Sequence, residues 1–127
     1  MHNEIKSYIE KVSQSLELTT SISIADAEKR ASLFLTAQAK LADWKHLLGE
    51  GQIKAQSVLN AVYAQELSKG TSKTMTENKV TAEASKEFRA AREEFELITN
   101  DISYLRTYMD IYSAAHVFYR NMCKDIM

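Results

Sequence analysis

The stretch Glu93–Met122, EEFELITNDISYLRTYMDIYSAAHVFYRNM, decides whether this chain folds as a compact bundle or around one long helix. The trio Thr99–Asp101 in its middle is typical of a turn or of the start of a new helix. The apolar positions on both sides of the trio nevertheless keep one spacing of alternating three and four residues: Phe88, Ala91, Phe95, Ile98, Ile102, Leu105, Met109, Tyr112, His116, Tyr119, Cys123 and Ile126. A turn would normally shift this heptad phase, so the pattern favours one helix running through Asn100.

The C-terminal helix is therefore predicted to be long, about 50 residues over 77–126, with Thr76 as its N-cap. From Tyr104 onward a second apolar series widens its buried face. A face of that width needs two partner helices, either from the same chain or from neighbouring subunits. Because large exposed apolar patches usually mark contacts, we expect an oligomer interface there. Its predicted residues are Tyr108, Ile111, Ala115, Phe118 and Met122.

The rest of the chain also indicates helices. Its 127 residues include no proline and three glycines, and these two residue types are the strongest helix breakers. Apolar spacing predicts further helices at about 3–18, 24–48 and 52–68, with Ile53 on the buried side of the last. Gly49 and Gly51 are expected to end or kink the second helix, and residues 68–76 to form a loop. The predicted fold is all-α, a small helical bundle in a single domain over 1–127.

Charge and cysteine content limit the class of protein. Sixteen basic and seventeen acidic residues give a net charge of −1, without the global basic excess that is common in nucleic-acid binders, although a local patch stays possible. The single cysteine, Cys123, fits a reducing compartment. No apolar run approaches the length of a membrane span, which is about 20 residues. We expect a soluble cytoplasmic protein without membrane contact.

No motif for catalysis or cofactor binding is present, so we expect neither enzyme activity nor a cofactor or metal. Metal sites in helical bundles commonly use Glu-x-x-His pairs, and the nearest match is Asp43 with His46, which occurs once. His116 and Cys123 lie on the apolar seam and are expected to be packed there. Trp44 is likewise expected to be a core residue.

Two groups of side chains could contact nucleic acid. The aromatic cluster of the C-terminal helix could stack bases, although its helical spacing favours packing. Its members are Tyr104, Tyr108, Tyr112, Phe118 and Tyr119. Four lysines in or near the predicted loop could contact phosphates, or could be ordinary solvated charges: Lys54, Lys69, Lys73 and Lys79.

The order of these features resembles the UvsY-type recombination mediators of T-even-like phages. Three segments carry the resemblance: LADWKHLLGEGQIKAQSVLNAVYAQELSKGTS (Leu41–Ser72), TENKVTAEASKEF (Thr76–Phe88) and YLRTYMDIYSAAHVFYRNM (Tyr104–Met122). They share an aromatic-bearing helix, a helix that ends in a Ser/Gly loop, and a long aromatic helix with a Ser-Ala pair. The similarity lies in spacing and residue class over about residues 24–126.

The resemblance implies a non-enzymatic homo-oligomer in a bacterial host cell, which binds single-stranded DNA and uses its C-terminal helix as the oligomer interface. Such a protein helps a RecA-like recombinase to displace single-strand-binding protein and to load onto the strand. One departure matters, because Asn60 and Val62 stand where the family has basic residues that touch DNA. Either the contact has moved to the four lysines, giving weak binding, or the chain does not bind DNA strongly. The alternative function is a small helical protein–protein interaction module, such as an inhibitor or assembly adaptor.

Overall fold

Helices account for nearly all of the described chain in the computed structural model. It describes residues 3–16 and 22–126, the last two of them by backbone alone. The described helices are α1 (Asn3–Ser13), α2 (Ile24–Ser68), α3 (Met75–Glu83) and α4 (Lys86–Ile126). The predicted all-α bundle with a long C-terminal helix is therefore confirmed.

The trio Thr99–Asp101 lies inside α4, which runs without interruption for 41 residues. The Thr99 hydroxyl donates to the Phe95 carbonyl oxygen at 2.9 Å, one helical turn back, and accepts from the Gln52 side-chain amide at 3.0 Å. Threonine often caps the start of a helix, but here Thr99 lies in the middle of α4 and its hydroxyl still has hydrogen-bond partners. The heptad phase through Asn100 predicted this part of the fold correctly.

The predicted single helix over 77–126 is wrong at its N-terminal end, because Ala84 and Ser85 interrupt it and separate α3 from α4. The Ser85 hydroxyl accepts from the Phe88 amide at 3.1 Å, so this serine caps α4. The heptad series begins only at Phe88, and no apolar seam holds the preceding residues in phase with α4. The predicted N-cap is also shifted, because Thr74, not Thr76, accepts from the Glu77 amide at 3.2 Å at the start of α3.

The predicted boundary at residues 48–52 is also wrong, because α2 continues through Gly49 and Gly51. Neither glycine has a positive φ, so neither makes the left-handed turn that ends many helices. A glycine inside a helix costs only about 1 kcal/mol relative to alanine, which packing elsewhere along α2 outweighs. Ile53 faces out instead of in, with 70% of its surface exposed.

The first helix is shorter than predicted. It ends at Ser13, and residues 14 and 15 continue as a turn, in which the Ser15 amide donates to the Val12 carbonyl oxygen at 3.0 Å. The remaining predicted positions, 17 and 18, lie outside the described residues.

The chain divides into two compact units, one of residues 1–46 and 102–127 and the other of residues 47–101. The single domain over 1–127 that the sequence predicts stays a prediction. In the first unit α1 packs against antiparallel segments of α2 and α4. Its centre is Phe34, whose ring lies 5.4 Å from the Tyr112 ring and is stacked on Tyr119 at 5.8 Å.

The short helix α1 supplies the second partner that the wide face of α4 needs within the first unit. Ile5, Ile9 and Val12 are buried along one side of α1. The Tyr112 hydroxyl donates to the Ile9 carbonyl oxygen at 3.0 Å and lies 2.8 Å from the Ser13 hydroxyl. Burial raises the pKa of Tyr112, so its hydroxyl keeps its proton well into alkaline solution.

The second unit consists of the antiparallel segments of α2 and α4 together with α3. The Tyr63 and Phe88 rings meet at 5.4 Å. The smaller side chains Ala55, Ala82 and Ala91 are buried with Phe88. Three of these four buried side chains are alanines, and many larger apolar residues of the unit remain in solvent.

Candidate binding surfaces

The polar turn between α2 and α3 carries most of the lysines that the sequence singles out. Lys69 follows the end of α2, Lys73 lies in the turn, and Lys79 lies on α3; all three are exposed. Lys54 is also exposed but lies fifteen residues before Lys69, which is about 22 Å along a helix. The structure therefore brings three of the four predicted lysines to one turn and leaves Lys54 apart.

Side-chain hydrogen bonds hold this turn in a fixed shape. The Asn78 side chain accepts from the Ser72 amide at 3.1 Å and donates to the Ser72 carbonyl oxygen at 3.2 Å. The Ser72 hydroxyl is bonded to the Glu77 carboxylate and accepts from the Thr74 amide at 3.4 Å. These hydroxyl and amide groups are already used within the turn. Phosphate contacts are therefore expected mainly from the lysine ammonium groups.

Acidic neighbours reduce the positive field of the turn. The Lys69 ammonium lies 3.0 Å from the Glu66 carboxylate, and Glu77 stands at the start of α3. An exposed ion pair of this kind contributes little stability, so Lys69 can exchange Glu66 for a phosphate. Lys54, Lys73 and Lys79 form no ion pair with any described residue. The surface is thus weakly basic, which fits weak binding of a polyanion.

A second candidate surface is an apolar groove on the wide face of α4, with a volume of about 400 Å³. We call it the α4 groove, and its lining residues are Leu16, Ile111, Ala114, Ala115 and Phe118. Ile111 and Phe118 each expose 37% of their surface, whereas Ala115 exposes 5%. Among the other predicted interface residues, Met122 is half-buried, and Tyr108 packs its ring between those of Tyr104 and Tyr112.

The second unit exposes more large apolar side chains than the sequence pattern indicates. More than half of the surface is in solvent for each of Leu47, Ile53, Val58, Met75, Val80 and Leu97. A shallow groove of about 400 Å³ also opens between α2 and α4, lined by Gln52, Ile53, Gln56, Ser57 and Phe95. Exposed apolar surface of this extent is typical of proteins that bind other proteins.

Sequence reasoning missed Asn78, which fixes the shape of the lysine-bearing turn. An added Cβ at Gly70 would lie 2.6 Å from the Asn78 side chain, so the turn closes tightly around a residue without one. An Asn that follows a Ser/Gly loop is the only signal in the sequence, since asparagine often bonds nearby backbone groups.

The residues tested for metal or catalytic chemistry have ordinary structural settings. The Nδ1 atom of half-buried His116 lies 2.8 Å from the Ala31 carbonyl oxygen, and Cys123 is half-buried. Over residues 3–16 and 22–124, no three His, Cys, Asp or Glu side chains are grouped as a metal site would require. Within the described helices, none combines the length and apolar character needed to cross a membrane.

No family model, curated protein or solved structure matches this chain significantly.

Proposed function

We propose that this chain is a non-enzymatic accessory protein of the recombination-mediator kind, which self-associates and binds single-stranded DNA weakly. The observation that carries the proposal is the turn between α2 and α3, where exposed Lys73 and Lys79 join Lys69. A Ser/Gly turn placed between an aromatic-bearing helix and a long aromatic helix is also the order of features in the UvsY-type mediators. In this proposal the oligomer loads a RecA-like recombinase onto strands covered by single-strand-binding protein.

Counterion release gives the expected size of the effect. On single strands the logarithm of affinity falls with the logarithm of salt by about 0.7 for each phosphate contacted. Four contacts, from Lys54, Lys69, Lys73 and Lys79, give a slope of about −2.8. Raising salt from about 50 to about 200 mM then weakens binding by about 50-fold. Removing two contacts halves the slope, and the same change in salt then weakens binding by about sevenfold.

The test is titration of fluorescently labelled single-stranded DNA at these two salt concentrations. We expect Lys69→Gln together with Lys73→Gln to flatten the salt dependence and to weaken binding of all sequences alike. The matched control is Lys29→Gln together with Lys124→Gln, which removes the same charge from exposed positions away from the turn. If both double variants weaken binding equally, net charge and not the turn determines affinity.

The second candidate function is a protein–protein interaction module without DNA binding. The specific observation in its favour is the exposed apolar surface of the second unit, above all Ile53 with 70% of its surface in solvent. Such an exposed side chain contributes little to stability, so the free energy of unfolding of Ile53→Ser should lie within about 0.5 kcal/mol of the wild-type value. Absence of DNA binding by the wild-type chain at about 50 mM salt, where phosphate contacts are strong, would select this function.

A further inference from the structure

Two aromatic side chains and one lysine form a small cluster at the surface of the first unit, where α1 meets α2. Tyr8 on α1 and Trp44 on α2 meet edge to face, with ring centroids 5.3 Å apart. The Lys40 ammonium lies 4.7 Å from the Tyr8 ring centroid and 5.2 Å from that of Trp44. Both rings are half-buried and Lys40 is exposed. Trp44 was expected in the core, but part of its side chain reaches solvent beside the ammonium group of Lys40.

We propose that Tyr8 and Trp44 form a stacking platform for one base of a single strand, with Lys40 contacting an adjacent phosphate. The inference rests on the proposed function, because it specifies where a base of the bound strand is held. Proteins that bind single strands without sequence preference combine aromatic rings that stack bases with basic residues that follow the backbone. Here both kinds of residue lie within about one helical turn of each other.

Lys40 is positioned to move from the rings to a phosphate. It precedes Trp44 by four residues, so the two side chains lie on the same face of α2. Its cation–π contact at an exposed site is weaker than the stacking of a base on an aromatic ring. The stacking energy of a base that displaces the ammonium therefore exceeds the cation–π energy that is lost. The displaced ammonium then contacts a phosphate.

The other aromatic side chains of this unit are poorer candidates. Tyr112, Tyr119 and Phe34 expose no surface and so offer no face to a base. Tyr104 and Tyr108 pack against each other with centroids 4.9 Å apart. Phe118 is 37% exposed, but it packs edge to face on Tyr119 and lines the apolar α4 groove. The pair Tyr8 and Trp44 is the one that combines partly exposed rings with a lysine over both.

The charges around the platform are balanced. One turn from Tyr8 lie Glu4 on one side and Lys11 on the other, and Asp43 and Lys45 flank Trp44 in sequence. The platform should therefore hold the base itself by stacking, which depends little on salt, and only the Lys40–phosphate contact adds to the salt dependence. This separates it from the lysines of the α2–α3 turn, whose contacts are expected to be electrostatic.

Trp44 is the only tryptophan of the chain, so its fluorescence reports on the platform directly. The experiment titrates wild-type protein with a short oligothymidylate strand and with an abasic strand of the same length. We expect the base-bearing strand to quench Trp44 emission and the abasic strand to leave it nearly unchanged. Equal quenching by both strands would overturn the inference, because Trp44 would then be sensing phosphate alone.

Affinity measured with a labelled strand gives an independent readout. Trp44→Leu keeps an apolar side chain but removes the aromatic face, and should weaken binding by about 5- to 150-fold, the range for loss of one stacked base. Trp44→Phe keeps an aromatic ring and should retain most of the affinity. If wild type binds with the expected salt dependence but the Leu and Phe variants bind equally well, the platform is wrong and the proposed function stands. If wild type does not bind at low salt, the proposed function fails and the platform with it.

Discussion

Two proline substitutions in the C-terminal half of the chain test where its helices begin and end. Asn100 lies inside α4 on its exposed side, so Asn100→Pro removes one backbone hydrogen bond and drives the proline ring against the carbonyl of Glu96. Lys86 is the first residue of α4, where the backbone amide has no partner within the helix and the fixed φ of proline suits the start of a helix. Both positions are exposed, so side-chain packing changes little in either variant.

The expected losses of stability in the two variants differ enough to show whether each position lies inside a helix or at its start. Proline in a helix interior costs about 3 kcal/mol or more, a large fraction of the roughly 5–15 kcal/mol that stabilises a typical domain. For a chain of this size, 1 kcal/mol shifts Tm by roughly 4 °C, so Asn100→Pro should lower Tm by about 12 °C. Lys86→Pro should change stability by less than about 1 kcal/mol, because it replaces no hydrogen bond and pre-sets the backbone.

Thermal and urea unfolding followed by circular dichroism measure both changes. If Lys86→Pro lowers Tm as much as Asn100→Pro, α3 and α4 form one helix across Ser85 and the cap at that serine is wrong. If Asn100→Pro is neutral, the chain turns at Thr99–Asp101 and the long helix itself is refuted.

Three further predictions follow from contacts in the structure. Gly49→Ala should raise the free energy of unfolding by about 0.5–1 kcal/mol, because its added Cβ meets no atom within 4 Å, whereas Gly70→Ala should lower it by a clash with Asn78; urea unfolding distinguishes the two signs. Tyr112→Phe should cost about 1–2 kcal/mol in the same assay, because Ile9 and Ser13 lose a buried hydrogen-bond partner. Ile111→Glu together with Phe118→Glu should reduce the mass measured by light scattering or cause aggregation, since both side chains line the α4 groove.

Each of these predictions has a result that would contradict it. A destabilising Gly49→Ala would mean that α2 bends at that glycine. The control for Tyr112→Phe is Tyr63→Phe, a half-buried tyrosine whose hydroxyl bonds to no described residue, and equal effects would show that the link to α1 adds nothing. For the groove, Val117→Glu changes a side chain that is 40% exposed but outside the lining, and it should leave the mass unchanged. A wild-type mass of one chain at micromolar concentration would refute the oligomer.

Periodicity explains which parts of the fold the sequence predicts. The seam of α4 repeats over many turns, and one residue type at Asn100 cannot outweigh it, so the helix is readable from spacing alone. The glycines of α2 led to a wrong helix boundary. Each costs a helix only about 1 kcal/mol, which is less than the packing energy of the residues on both sides. The interruption at Ser85 lies before the first residue of the heptad series, so the spacing of apolar residues could not show whether the helix continues there.

The candidate sites were predictable only where they depend on local sequence. Exposure of Lys73 and Lys79 follows from a polar turn, and the pairing of Lys69 with Glu66 follows from a spacing of three residues in a helix. The bond between Tyr112 and Ile9 joins residues 103 apart, and no pattern along the chain encodes it. For the same reason the spacing predicted that the wide face of α4 needs two partners but could not identify α1 as one of them.

That identification changes what the α4 groove can do. Because α1 already buries much of the wide face, the surface left for another subunit is the groove and its five lining residues. A stable protein interface uses about 20–30 residues on each side, so the groove alone is too small to hold an oligomer. Either additional exposed apolar surface of the chain takes part, or the association is weak and depends on concentration. Light scattering over a dilution series separates these cases, because a constant mass above that of one chain requires an interface larger than the groove, whereas a mass that falls on dilution is expected if the groove is the whole contact.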